Sequence, residues 1–188
     1  FACFDMKSID LNSEDMVKNA YAKGVTMGAD LFSQANHTPQ FLVWAQRDKL
    51  GAPLQRVQII KGWVETASGT PKEKIYDVAC SDGFAADPVT NRCPDNGARV
   101  NINDCSISNG VGAGELKTTW EDPDFDPAVK AFYYVRVLEN PTCRWSTWDA
   151  LKAGVKPRPD LHKTIQERAW SSPIWYIPDS SDLEIIPL

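Results

Sequence analysis

The alternation of apolar and polar positions along this chain predicts many short strands and little helix. The strongest strand pattern is Ala131–Glu139, which is built almost wholly of aromatic and β-branched residues and carries charges only at Arg136 and Glu139. A nearly continuous apolar run of this length is typical of a central strand in a packed sheet. We expect the other strands to be arranged around it, with Arg136 at a sheet edge or in a salt bridge.

Further strand-like runs occur before and after this central run. Residues Leu54–Val64 alternate apolar and polar side chains, as a half-buried strand does. The expected neighbour of this strand is 74–80, which follows a turn at 68–71 that contains serine, glycine and proline. The remaining strand-like runs are 1–6, 40–46, 115–120 and 164–177.

Helical signals are few and short. Ser13 is a suitable N-cap for a helix that continues to Lys23 and ends at Gly24, and a second helical turn is predicted at 147–153. The glycine-punctuated segment 24–31 has two interpretations. Its glycines let a ligand approach closely, or they serve turns and bulges, which is the commoner use.

Seven or eight short strands with turn signals between them, and one or two short helices, predict a mainly β fold. We expect residues 1–178 to form a single antiparallel β-sandwich of the immunoglobulin or jelly-roll kind, and 179–188 to form a C-terminal tail. Residues 81–114 are rich in Asp, Asn, Gly and Pro and are expected to form a long disulfide-bearing loop. Four tryptophans on separate predicted strands are expected to pack in the core and on the sheet faces: Trp44, Trp63, Trp120 and Trp175.

Length and charge narrow the function classes. A chain of 188 residues suffices for one domain with a sizeable core. Its net charge of −5 is spread along the chain without a basic patch, so we expect no nucleic-acid partner. The longest apolar runs have the length of strands, so no membrane span is predicted.

Because the sequence begins at Phe1 inside an apolar run, we expect it to be a fragment or processed product of a longer precursor.

The five cysteines favour an oxidising compartment. Cys80, Cys93, Cys105 and Cys143 lie in or beside loop-like sequence and show no zinc-type spacing, so we expect disulfides and a secreted or periplasmic protein. Four cysteines allow three pairings. Cys80 is expected to pair with Cys93 or Cys105, and Cys143 to pin the long loop to the sheet. Cys3 is left over, either free or paired outside this chain.

The segment 121–127 concentrates four carboxylates on one loop. Calcium prefers several hard oxygen ligands on a flexible loop, so Asp122, Asp124 and Asp126 are the candidate metal ligands and calcium is the candidate cation. The loop lacks the glycine and the terminal glutamate of an EF-hand. An ordinary Asp-Pro turn is the alternative, and we give it more weight.

No catalytic residue is assigned. The chain has two histidines, His37 and His162, and both are flanked by loop residues without a serine, cysteine or carboxylate in a catalytic motif. Asn36 begins a formal glycosylation acceptor, whose weight is small because the motif is short. We therefore expect neither a catalytic site nor a bound cofactor other than calcium in this chain.

A family resemblance covers most of the chain. The matching stretches are 20–25, 27–31, 41–45, 56–63, 120–127, Ala131–Glu139 and 164–176. In these stretches the chain is similar to the C-terminal part of a bacterial family known as domain of unknown function 3604. Members of that family are several times longer and resemble metal-dependent hydrolases of the polymerase-and-histidinol-phosphatase type, with the catalytic metals held in an N-terminal barrel. The resemblance implies that this chain is the sandwich that follows the barrel.

The resemblance implies a function through the parent protein. We expect a non-catalytic accessory domain of a secreted, phosphoesterase-like, metal-dependent hydrolase, with the N-terminal catalytic domain as its partner and homo-oligomerisation as a further interaction. The alternative is a stand-alone ligand- or calcium-binding β-sandwich module. An enzyme in its own right is the third and weakest hypothesis, because the sequence offers few convergent polar groups.

Overall fold

The computed structural model of the chain describes residues 1–34 and 37–179. Asn36 and the predicted tail beyond Asp179 lie outside the described residues. Within them the fold is mainly β, as predicted, with two short α-helices, α1 (Met16–Lys23) and α2 (Trp145–Lys152). The strands are β1 (Ala2–Cys3), β2 (Asp30–Phe32), β3 (Gln40–Gln46), β4 (Leu54–Val64), β5 (Pro71–Cys80), β6 (Glu115–Glu121), β7 (Ala131–Glu139), β8 (Thr142–Cys143), β9 (Thr164–Ile165), β10 (Arg168–Trp170) and β11 (Ile174–Ile177).

Strand β7 is the central strand of the larger sheet, as its composition predicts. It pairs with β4 on one side, and with β10 and β11 in succession on the other. The sheet order is β2-β11-β7-β4-β5. Arg136 was expected at a sheet edge or in a salt bridge, and the edge expectation is wrong. It lies between Gln58 and Trp170 in the middle of the sheet, and its Nε donates a hydrogen bond to Gln58 Oε1 at 2.7 Å.

A smaller sheet, β1-β3-β6, covers the inner face of the larger one. Phe41 of β3 packs against Tyr133 of β7 with ring centroids 4.6 Å apart, and Trp120 of β6 packs against Tyr76 of β5 at 4.9 Å. Val57 and Ile59 complete the core between these aromatic rings and are almost fully buried. The predicted sandwich is therefore confirmed. The pairing departs from a wholly antiparallel scheme where β2 runs parallel to β11.

The first strand is shorter than predicted. Instead of extending over 1–6, it ends at Cys3, and a 3₁₀ turn follows at Met6–Ser8. Gly24 ends α1, as expected, and a Cβ atom there would lie 2.5 Å from the carbonyl oxygen of Ala2. This glycine therefore lets two backbone segments of the protein approach each other, and the structural interpretation of the 24–31 glycines holds at this position.

Two disulfides order the segment 81–114. Cys80, at the end of β5, pairs with Cys93 in the first part of the segment, and Cys105 pairs with Cys143 of β8. The second bond ties the segment to the strand that follows β7, as predicted, and the structure selects one of the three pairings that the sequence left open. Cys3 is a free thiol and is buried.

The helices of the described ranges, 1–34 and 37–179, are short. None has both the length and the apolar character needed to cross a lipid bilayer.

Candidate functional site

The acidic segment 121–127 caps one end of the sandwich through a polar cluster. Asp122 Oδ2 accepts hydrogen bonds from Lys61 Nζ at 2.6 Å and from the Tyr133 hydroxyl at 2.7 Å. Asp124 Oδ2 accepts from Lys74 Nζ and from the Tyr76 hydroxyl, both at 2.5 Å. Two parallel lysine–aspartate–tyrosine triads thus attach the segment to β4, β5 and β7.

The first triad is buried and the second is half-exposed. The Asp122 side chain has no exposed surface and that of Lys61 is 6% exposed, whereas Asp124 retains about half its exposure. Burial, reinforced by the Asp122 charge, raises the pKa of Tyr133 far above its usual range, so its hydroxyl remains a donor. The hydrogen bonds from Lys74 and Tyr76 lower the pKa of Asp124. Asp124 is therefore held as a carboxylate.

The aspartates stand out in the sequence as a run of carboxylates, whereas their lysine partners do not. The sequence of β4 nevertheless contains a hint of the buried lysine. Alternate residues of a strand point to the same side, so Lys61 points to the same side as Val57 and Ile59, which are buried in the core. A lysine on the inward side of a strand requires a buried counter-charge. The sequence could not show which of the 25 acidic residues supplies it.

The three predicted calcium ligands lie on one loop, but their contacts are with protein groups. Asp122 and Asp124 bind the lysines, and Asp126 Oδ1 accepts a hydrogen bond from the backbone N–H of Ala128 at 3.0 Å. Across 1–34 and 37–179, no group of three or more His, Cys, Asp or Glu side chains is placed to hold a metal ion. A calcium ion would have to compete with Lys61 and Lys74, and the calcium hypothesis stays a prediction.

A second feature is an apolar groove of about 570 Å³ between α1, β3 and β10. It continues inward between the two sheets to Ile59 and Tyr133. Glu139 and Glu167 contribute to its lining, and burial together with the neighbouring charge of Glu167 raises the pKa of Glu139. Large apolar side chains that are exposed to solvent line its mouth: Val17, Tyr21, Met27, Trp44 and Trp170.

Exposed apolar side chains scattered singly are normal on proteins, whereas a contiguous set marks an interaction surface. Tyr21 is 63% exposed and Trp170 is 59% exposed, and both belong to the set that lines this groove. Trp44, expected to pack in the core or on a sheet face, is 43% exposed and donates from Nε1 to Glu115. Of the other predicted packing tryptophans, Trp63 and Trp120 pack against the core.

The outer face of the larger sheet carries a wider depression of about 850 Å³. The ring of Phe132 lies over Gly62, where a Cβ atom would lie within 2.2 Å of it, and packs against Trp175 at a centroid distance of 5.2 Å. Lys130 lies 5.8 Å from the Trp175 ring. Trp175 thus packs on a sheet face, as expected, but is 39% exposed.

A family model described as "Protein of unknown function (DUF3604)" matches residues 1–178. This chain belongs to the DUF3604 family. The match extends over both sheets, both disulfides, the acidic segment and the apolar groove. No curated protein and no solved structure matches the chain.

The two histidines of this DUF3604 chain lie in different surroundings. The ring of His37 faces the edge of Phe4 at a centroid distance of 6.4 Å. His162 is exposed just before β9, at the wall of a surface pocket that also contains Arg144 and Arg168. His37 is not among the residues that line this pocket.

Proposed function

We propose that this DUF3604 chain is a non-catalytic accessory β-sandwich of a secreted, metal-dependent hydrolase, and that the apolar groove between α1, β3 and β10 packs against the catalytic domain. The groove is the observation that carries the proposal. Its mouth combines exposed aromatic side chains from three separate elements, and aromatic residues of this kind dominate the energetics of protein interfaces. The two disulfides support the extracellular or periplasmic location.

The hydrolase part of the proposal rests on the resemblance of the sequence to a domain that follows a metal-binding barrel. Fold class alone does not determine activity, so the reaction has to be tested on the complete protein. We expect the complete coding frame to encode a metal-dependent phosphoesterase, and we expect the present chain alone to show no turnover of p-nitrophenyl phosphate with Mg²⁺, Mn²⁺ or Zn²⁺. A complete coding frame no longer than this chain would overturn the accessory-domain proposal.

The groove is tested by measuring association in trans between this chain and the separately expressed catalytic domain. Tyr21→Ser and Trp170→Ser are each expected to weaken the complex at least tenfold, because a buried aromatic anchor contributes more than about 1.4 kcal/mol at an interface. Titration calorimetry gives the dissociation constants. Hydrogen exchange in the complete protein should show protection in α1, β3 and β10 relative to the isolated chain.

Trp145→Ser is the matched control. Trp145 is 69% exposed but lies on α2, outside the groove, so its removal deletes an exposed tryptophan without touching the proposed interface. Equal effects of Trp145→Ser and Trp170→Ser would contradict the assignment of the groove.

A stand-alone ligand- or calcium-binding module is the second candidate. The carboxylates of 121–127 and the aromatic depression around Phe132 and Trp175 favour it. Its calcium part predicts heat of binding in a calcium titration that disappears in Asp124→Asn and Asp126→Asn. Since Lys74 already neutralises Asp124, we expect any such binding to be weak, with a dissociation constant in the millimolar range of extracellular modules. Micromolar binding lost in both variants would favour this candidate.

A further inference from the structure

A pocket lined by arginines lies where three segments of the chain meet. Residues 95–99 of the disulfide-bearing loop form one wall, the end of β8 forms the second, and 162–168 form the third. The pocket has a volume of about 470 Å³. One acidic residue, Asp95, lines the pocket. Four arginines line it as well: Arg56, Arg99, Arg144 and Arg168. Its lining therefore carries a formal charge of +3, whereas the whole chain carries −5.

Two of these arginines are neutralised within the protein. Arg56 donates from Nη1 to Asp77 at 3.1 Å and from Nη2 to Gln55 at 2.6 Å. Arg99 donates from Nη2 to Asp95 at 2.9 Å. These contacts hold Arg56 and Arg99 at the base and wall of the pocket, and they leave the remaining positive charge to the other two arginines.

Arg144 and Arg168 are the cations without a counter-charge. Among the residues that the structure describes, neither guanidinium has a hydrogen bond or an ion pair to another side chain. Arg144 is fixed by the backbone, because its N–H donates to the carbonyl of Lys163 at 3.0 Å. Arg168 is fixed by its pairing with Leu138 in the sheet. The backbones of both residues are thus fixed beside one pocket, and their two guanidinium groups carry ten N–H donors that bond to no described side chain.

We propose that this pocket binds the oxyanion group of a small organic ester, a phosphate or a sulfate monoester of about monosaccharide size. Guanidinium groups recognise such oxyanions with paired, charge-assisted hydrogen bonds. The pocket volume exceeds that of the free ion and falls in the range of small-molecule sites, so it accommodates the organic part as well. The hydroxyl of Thr164 and the exposed ring of His162 add polar groups at the rim.

The pocket is built by the disulfide. Arg99 is on the loop that Cys105 ties to Cys143, and Arg144 follows Cys143 directly. The β8–β9 ladder places Thr164 opposite Cys143. This proposal is independent of the accessory-domain proposal, since it concerns the binding of a small anion by this chain alone.

Binding is tested by calorimetry at low ionic strength with four probes: inorganic phosphate, inorganic sulfate, glucose 6-phosphate and glucose 6-sulfate. Glucose is the uncharged reference. We expect at least one ester to bind more tightly than its free inorganic ion, glucose not to bind, and affinity to fall with added chloride because charge contacts are screened. The preferred ester identifies the source of the oxyanion.

Arg144→Gln and Arg168→Gln are each expected to weaken binding at least tenfold and to leave the melting temperature nearly unchanged. Arg158→Gln is the matched control, because Arg158 is an exposed arginine paired with Asp160 outside the pocket, and this variant should bind like wild type. A second measurement needs no variant: NMR titration of the wild-type chain should shift resonances of Arg144 and Arg168. The proposal would be overturned if none of the anions bound at 10 mM. It would also be overturned if Arg144→Gln, Arg168→Gln and Arg158→Gln bound the anion with equal affinity.

Discussion

Replacing Asp122 by alanine is expected to lower the free energy of unfolding by about 3–5 kcal/mol, the range measured when one partner of a buried ion pair is removed. Asp122 has no exposed side-chain surface, and its Oδ2 is bonded to Lys61 and Tyr133. The substitution would leave the buried Lys61 ammonium without its counter-charge, with only the carbonyl oxygen of Asp124 as an acceptor at 2.8 Å, and the buried Tyr133 hydroxyl without its acceptor. Urea unfolding with an unchanged m-value gives the loss directly.

Two comparisons isolate the buried charge as the cause. The double variant Lys61→Met/Asp122→Leu removes both charges and should lose less stability than Asp122→Ala, because no uncompensated ion remains in the core. Asp160→Ala breaks the exposed Arg158–Asp160 pair and should leave stability nearly unchanged, because solvent screens exposed ion pairs. If Asp122→Ala were as mild as Asp160→Ala, the triad would not hold the acidic segment onto the sandwich.

The double variant Cys105→Ala/Cys143→Ala is expected to lose about 4 kcal/mol, because the chain-entropy model gives this value for a loop closed across 38 residues. Cys80→Ala/Cys93→Ala opens a loop of 13 residues and should lose about 3 kcal/mol. Thermal and urea unfolding of the two variants measure the difference. The first variant should also bind the anionic probes more weakly, since Arg99 and Arg144 are held on either side of that disulfide.

Cys3→Ala is the control for loss of a buried sulfur atom. Cys3 is buried but unpaired, so its removal leaves a small cavity without opening a loop. A loss in Cys105→Ala/Cys143→Ala no larger than that in Cys3→Ala would contradict a stabilising role of the disulfide. Reduced wild-type protein should behave as both disulfide variants combined.

The main strands could be predicted because the residues within each of them favour an extended backbone. Gln40–Gln46, Leu54–Val64 and Ala131–Glu139 have the same bounds in the sequence prediction and in the structure. Each is long, rich in aromatic and β-branched side chains, and bounded by turn residues. Residues 1–6 are a short apolar run without β-branched side chains, and they form a strand of only two residues before a 3₁₀ turn at Met6–Ser8.

The candidate sites were less accessible to sequence reasoning than the strands. The acidic segment was visible as a run of carboxylates, yet its lysine and tyrosine partners are separated from it by up to 63 residues in the sequence. The apolar groove joins α1, β3 and β10, and the arginine pocket joins three segments, so neither has a local pattern. Such sites form only when distant elements pack.

The sequence by itself determined the fold class, the central strand, the cysteines that form disulfides and the absence of a local catalytic motif. These properties depend on side-chain periodicity and composition, which neighbouring residues carry. The tertiary structure decided which cysteines pair, which charges are neutralised and which remain unpaired at the surface. Those outcomes depend on distances between residues far apart in the chain, and a linear pattern of polar and apolar positions does not contain such distances.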